Sequence, residues 1–290
     1  MDNRLSYYLP DKTECWKLMF FLVIGVLCSS MLIAGVSLAD SSLEDLAAGG
    51  SGGLEEQSLM TVPLLLSYLM GFVPAFVYIW YKAGHAKKER SCYGNPAVKI
   101  NVPQFGEKHP FLVLSISLLG FVALVFALDA LPSPVKEQSD LLSGKYPLWL
   151  VLLISGVCAP LFEELIFRGL MLRGLLRTMS PVYAILWTSV FFAIIHLNAQ
   201  QAFPAFFCGV FLGWIYYKTG CYWMAVALHA LNNVSAILIS HFTGLDSSVS
   251  LRTVMDNDTV FFVLLLASLG LLLSSVLIIN RMIPSNENEK

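Results

Sequence analysis

Eight stretches of this chain are apolar for most of a bilayer's thickness, and no water-soluble fold accommodates that pattern. They run at roughly 18–39, 58–81, 110–131, 148–176, 182–198, 202–217, 222–241 and 259–280, near the ~20 residues that span hydrocarbon. Composition agrees: of 290 residues, 57% are hydrophobic and 13% charged, with a mean hydropathy of +0.69. An ordinary soluble domain carries roughly 25% charged residues, so a soluble globular enzyme is excluded, and so is a disordered chain. The expected fold is an all-α polytopic transmembrane helix bundle of eight spans, or seven if the short sixth does not cross. A net charge of −2 and a pI near 6.2 leave no basic footprint for a nucleic-acid partner.

The distribution of Lys and Arg orients the spans. Arg4, Lys12 and Lys17 precede the first; Lys82, Lys87, Lys88, Arg90, Lys99 and Lys108 crowd the second connection. Arg173 and Arg177 follow the fourth span, Lys218 the sixth and Arg281 the eighth. With eight spans all of these share one side, and both termini are cytoplasmic. Asp40, Glu44, Asp45, Glu55, Glu56, Asp246, Asp256 and Asp258 collect on the other, with Lys136, Lys145 and Arg252. Ser37-Leu38-Ala39 resembles a cleavage site, but the apolar run before it exceeds a signal peptide's, so the first span is read as an anchor. Gly49-Gly50-Ser51-Gly52-Gly53 reads as a flexible outer loop and 83–109 as the main cytoplasmic loop.

Away from the span ends, where Asp129 and Arg173 lie, formal charge within the spans is confined to Pro160-Leu161-Phe162-Glu163-Glu164-Leu165-Ile166-Phe167-Arg168-Gly169. Each such residue costs roughly 2.5–3.5 kcal/mol to insert. Glu164 and Arg168, spaced i, i+4 with acid first, can pair on one helix face. Glu163 lies about 100° around the helix and needs a proton or a partner from another helix. His196, near the end of the fifth span, and His229, in the seventh, are the candidates. Glu163 is 14 residues before Arg177 and His196 is 15 after Pro181. Both therefore lie about 21–22 Å from the turn that joins their helices. Asn233 follows His229 by one turn on the same face. Pro160 loosens the helix beside the acidic pair, which suits a water-lined pocket.

A carboxylate and an imidazole near one water can take its proton as it attacks a carbonyl, and a second His with an Asn amide can donate to the oxyanion. Cys158 and Ser189 are poorly placed as nucleophiles, so peptide hydrolysis by activated water is favoured. Zinc is the variant, with Glu163, His196 and His229 as ligands and an open fourth position; a metal-free mechanism is the other reading. The six cysteines (Cys15, Cys28, Cys92, Cys158, Cys208, Cys221) contain no C-x-x-C pair, and read as small apolar residues rather than disulfides or thiolate ligands.

Glu163-Glu164-x-x-x-Arg168, Phe192-x-x-x-His196 and His229-x-x-x-Asn233, in this order on successive helices, resemble the three motifs of the CPBP family. These are the CAAX-protease and bacteriocin-processing enzymes also called Abi proteins. The resemblance covers about 147–241 and includes the frame Ala159-Pro160 and Phe167-Arg168-Gly169. It implies an intramembrane endopeptidase in which Glu163 and His196 activate water and His229 and Asn233 are the oxyanion donors. Glu164 and Arg168 would shape the site. The family has been described as metalloproteases, and its chemistry also as metal-free glutamate catalysis.

Functionally the chain divides into N-terminal anchoring and access helices (1–146), a catalytic core (147–241) and an outer loop with the last helix and tail (242–290). The expected partners are membrane lipid and a peptide or lipid-modified protein substrate. The location is the plasma membrane of a bacterium, or the endoplasmic reticulum of a eukaryote. Two competing readings are a proton-coupled transporter using Glu163 and a non-catalytic immunity or scaffold protein. Gly209-x-x-x-Gly213 is expected to permit close helix packing. Trp214, Tyr216, Tyr217, Tyr222 and Trp223 are expected to form an interfacial belt, and His85, His109 and His241 to be solvated.

Overall fold

The computed structural model describes residues 4–47, 56–92, 97–105, 109–130, 147–244, 255 and 257–283. The Gly-rich tract, part of the second connection and the acidic residues Glu55, Asp246 and Asp256 fall outside them, as do Lys108, Lys136, Lys145 and Arg252. Among the described residues there are eight long helices and no strand. They are α1 (Lys12–Ala47), α2 (Glu56–Cys92), α3 (Pro110–Asp129), α4 (Leu148–Leu175), α5 (Pro181–Ile194), α6 (Ala199–Thr219), α7 (Tyr222–Thr243) and α8 (Asp258–Met282). Each expected span coincides with one of them. Five stretches are long and apolar enough to cross a membrane: Lys12–Gly35 of α1, and all of α3, α4, α7 and α8. Large apolar side chains face outward along them, with Phe111 80%, Met31 74% and Leu266 69% exposed. Lipid, not water, is the solvent for such a surface.

Two apolar cores organise the bundle. The larger joins α1, α2, α5 and the C-terminal half of α4, through side chains such as Leu18, Ile79, Phe167, Met171 and Phe191. The smaller joins α3, α6, α7 and α8 around Phe121, Leu212, Leu228 and Ile279. Helix α6 is the partition between them and packs closely on α5. A Cβ placed on Gly209 would stand 3.2 Å from the backbone of Ser189, and one on Gly213 would stand 3.3 Å from Ile185. The expectation for this glycine pair holds.

Arg173 departs from its expected place in a cytoplasmic loop. It lies in the last turns of α4, only 6% exposed. Its guanidinium donates to the carbonyl oxygens of Leu5 (2.7 Å), Tyr8 (3.0 Å) and Val98. Two segments outside the long helices are thereby fastened to the bundle. Val98 N–H in turn donates to Ser6 O at 2.9 Å, and Val102 N–H to Gly220 O at 2.9 Å. Residues 4–10, residues 97–104, the end of α4 and the α6–α7 turn thus form one assembled face. Arg173→Met is expected to lower stability by about 3 kcal/mol or more, two charge-assisted bonds at the low end. Arg173→Lys should restore only part, because a point charge lacks the planar fork. Thermal unfolding of the purified protein in detergent reads both.

The aromatic residues at the α6–α7 turn also differ from expectation. Trp223 is 58% exposed, but Tyr216 and Tyr222 are buried. Their hydroxyls donate to Ile100 O at 2.7 Å and Leu161 O at 2.8 Å. Sequence alone shows an amphipathic ring near a membrane boundary and not that a carbonyl from a distant segment stands beside it.

Candidate active site

Helix α4 is irregular on both sides of the acidic pair. The backbone takes the wide i→i+5 turns of a π-helix over Leu152–Cys158, an α turn over Ala159–Glu164, and wide turns again over Leu165–Leu172. Pro160 explains the first irregularity. It has no N–H to return to the preceding turn, so a carbonyl there loses its intrahelical donor. The Ser155 carbonyl, five residues back, is served from another helix: Asn233 Nδ2 donates to it at 2.8 Å. Asn232 donates to Asn233 Oδ1 at 3.3 Å, which fixes the orientation of the Asn233 amide. Gly156 permits the approach, since a Cβ there would meet Val234 at 2.8 Å.

Glu164 and Arg168 form the expected pair, at 2.8 Å and almost wholly buried. The guanidinium also donates to Gly209 O at 3.0 Å and lies 4.8 Å from the centre of the Phe192 ring. The same Glu164 oxygen accepts from His229 Nδ1 at 2.9 Å. His229 is thereby oriented, with Nε2 toward Glu163 at 3.9 Å. Of the two imidazoles, His229 is the one that comes within 4 Å of the Glu163 carboxylate.

His196 sits in the turn after α5, which ends at Ile194 and not near 198. The helix stops there because Leu197 adopts a left-handed backbone, φ 51°. The His196 ring is held by Nδ1, which donates to Phe192 O at 2.8 Å. Phe192 then separates the site's charged and basic groups: its ring meets that of His196 at 5.1 Å, His229 at 5.7 Å and Phe167 at 5.3 Å, all edge to face. Its position in the second motif is visible in the sequence; its role as the spacer between two imidazoles and a guanidinium is not.

Glu163, Glu164, Arg168 and His229 are therefore brought together directly, His196 joins them across Phe192, and Asn233 is spent in part on the α4 backbone. Ser189, the weak competitor for a nucleophile, is buried and donates its hydroxyl to Ile185 O at 2.7 Å. As a zinc site the donors are incomplete. Both imidazoles anchor Nδ1 and leave Nε2 for a ligand, the usual second-shell arrangement. Yet among the described residues no three His, Cys, Asp or Glu side chains come close enough to hold one ion.

Comparison with known proteins bears on the same segment. Residues 145–235 match the family model of the type II CAAX prenyl endopeptidase Rce1-like proteins. The curated Bacillus subtilis (strain 168) protein "Putative membrane peptidase YdiL" is 24% identical over 90 residues, 31% of this chain and 37% of the relative. The match thus spans little more than a third of that relative's length. No solved structure matches. The stretch that carries Glu163, His196 and His229 is thus similar to the Rce1-like CAAX prenyl endopeptidases, and it is set in an integral membrane protein.

Proposed function

We propose that the chain is an intramembrane endopeptidase that hydrolyses a peptide bond in a membrane-associated peptide or protein tail. The observation that carries this reading is the shared Glu164 oxygen, which pairs with Arg168 and orients His229 toward Glu163. His229 enters the proposed reaction with Nδ1–H donating to Glu164 and Nε2–H turned toward Glu163. The separation between His229 Nε2 and Glu163 Oε2, 3.9 Å, exceeds a direct hydrogen bond and suits a bridging water.

In the reaction, Glu163 takes a proton from water as the water oxygen bonds to the scissile carbonyl carbon, and the carbonyl π electrons move to oxygen. His196 Nε2 orients the water. His229 Nε2–H and the remaining N–H of Asn233 donate to the oxyanion. Collapse of the tetrahedral species breaks the C–N bond, and the proton held by Glu163 passes to the leaving amine. No step runs through a metal, since the donors do not close around one.

In this reading residues 147–241 form the catalytic core and 1–146 the anchoring and access helices. All eight helices cross, both termini are cytoplasmic, and cleavage takes place near the cytoplasmic side. The test uses the full chain in proteoliposomes, with a quenched fluorescent peptide ending in a farnesylated CAAX sequence and the same peptide unmodified. Cleavage of either, surviving a strong chelator, is expected. Cleavage of neither, with pH-driven proton flux instead, overturns the reading in favour of transport. Loss of activity on chelation, restored by zinc, overturns the metal-free mechanism.

A further inference from the structure

The matched core does not include α2, yet α2 presents a polar group to it. The Tyr68 hydroxyl is buried and has no hydrogen-bond partner among the described residues. Its ring packs with Leu150 and Ile154 of α4, Ile154 lying next to Ser155 and about one turn before Cys158, and is 5.4 Å from the Phe72 ring. Phe72 in turn meets Phe162, the residue before Glu163, at 5.4 Å. These contacts set Tyr68 against the segment of α4 on either side of Cys158 and the acidic pair. A buried hydroxyl left unpaired is costly, and such groups are rare unless a site uses them. Asn233 meanwhile has one amide hydrogen committed to Ser155 O, so the donors available to an oxyanion are fewer than the motif suggests.

Building on the peptidase reading above, we infer that Tyr68 is a catalytic residue, its hydroxyl donating a hydrogen bond to the reacting carbonyl oxygen. The N-terminal helices then complete the oxyanion site of the core as well as anchoring it. A tyrosine suits this role because its ring is fixed by apolar packing and its O–H brings no formal charge into the bundle.

The experiment compares wild type, Tyr68→Phe and Glu163→Gln, each as the full chain in proteoliposomes, on the farnesylated peptide. For Tyr68→Phe the expected result is a kcat lower by about 100-fold, the low end for one oxyanion donor, with KM within about twofold. The melting temperature should be unchanged or higher, because no partner loses a bond. A phosphinic analogue of the peptide, whose tetrahedral anion mimics the intermediate, should bind more weakly by a similar factor. Full kcat in Tyr68→Phe beside an inactive Glu163→Gln overturns this inference and leaves the peptidase reading standing. So does a fall in kcat with unchanged phosphinate affinity. An active Glu163→Gln overturns the peptidase reading itself.

Discussion

Glu163→Gln is expected to reduce peptide cleavage by about 1,000-fold or more, within the range contributed by a positioned general base, while the protein folds and purifies as wild type. The two halves of this expectation rest on different contacts. Activity is lost because the amide keeps the shape of the carboxyl group but cannot accept a proton from water. The fold survives because Glu163 makes no close ion pair: its one such neighbour among the described residues is His229, at 3.9 Å. Its side chain keeps 13% exposure, so the amide has room to settle. The stability change should fall within about 1 kcal/mol, as for sites without a cavity or a broken network. Initial rates on the farnesylated peptide and a melting curve in the same detergent give both numbers. A variant that folds and still cleaves at the wild-type rate would remove Glu163 from the mechanism.

The sequence is most legible where one cheap local rule decides. Apolar length locates all eight helices, since a backbone in hydrocarbon must satisfy itself internally. The i, i+4 spacing finds the Glu164–Arg168 pair. What is not legible depends on contacts between distant segments. Arg173 looks like any basic residue after a span, and only the folded chain shows Leu5, Tyr8 and Val98 converging on it. The expected end of α5 falls too late because Ile195, Leu197 and their neighbours are apolar enough to continue the span, whereas a left-handed Leu197 ends it. The approach of His229 to within 3.9 Å of Glu163 is hidden too, because depth along two helices says nothing of rotation about either. Pro160 announces a loosened α4, but spacing alone gives Asn233 wholly to chemistry and does not show that its amide serves the freed carbonyl.

Arg168→Ala is expected to be the most damaging single change to stability, by about 3–5 kcal/mol, the cost of removing one partner from a buried ion pair. Arg168 is 1% exposed and Glu164 0%, so neither lipid nor water can take over the lost charge. Removal also strips Gly209 O of its donor and Phe192 of its cation. The pair itself is incompletely satisfied, because Glu164 Oε2 and Arg168 Nε have no hydrogen-bond partner among the described residues. A buried pair with such gaps owes little net stability to its charges. Glu164→Leu combined with Arg168→Met should therefore recover most of the lost stability. Activity should not return, because His229 Nδ1 loses the oxygen that orients it, at 2.9 Å in the native protein. Melting temperatures and cleavage rates of the two variants separate the roles. If the double variant is as unstable as Arg168→Ala, the pair holds the fold for its own sake. If it is stable and still cleaves, Glu164 does not aim the histidine.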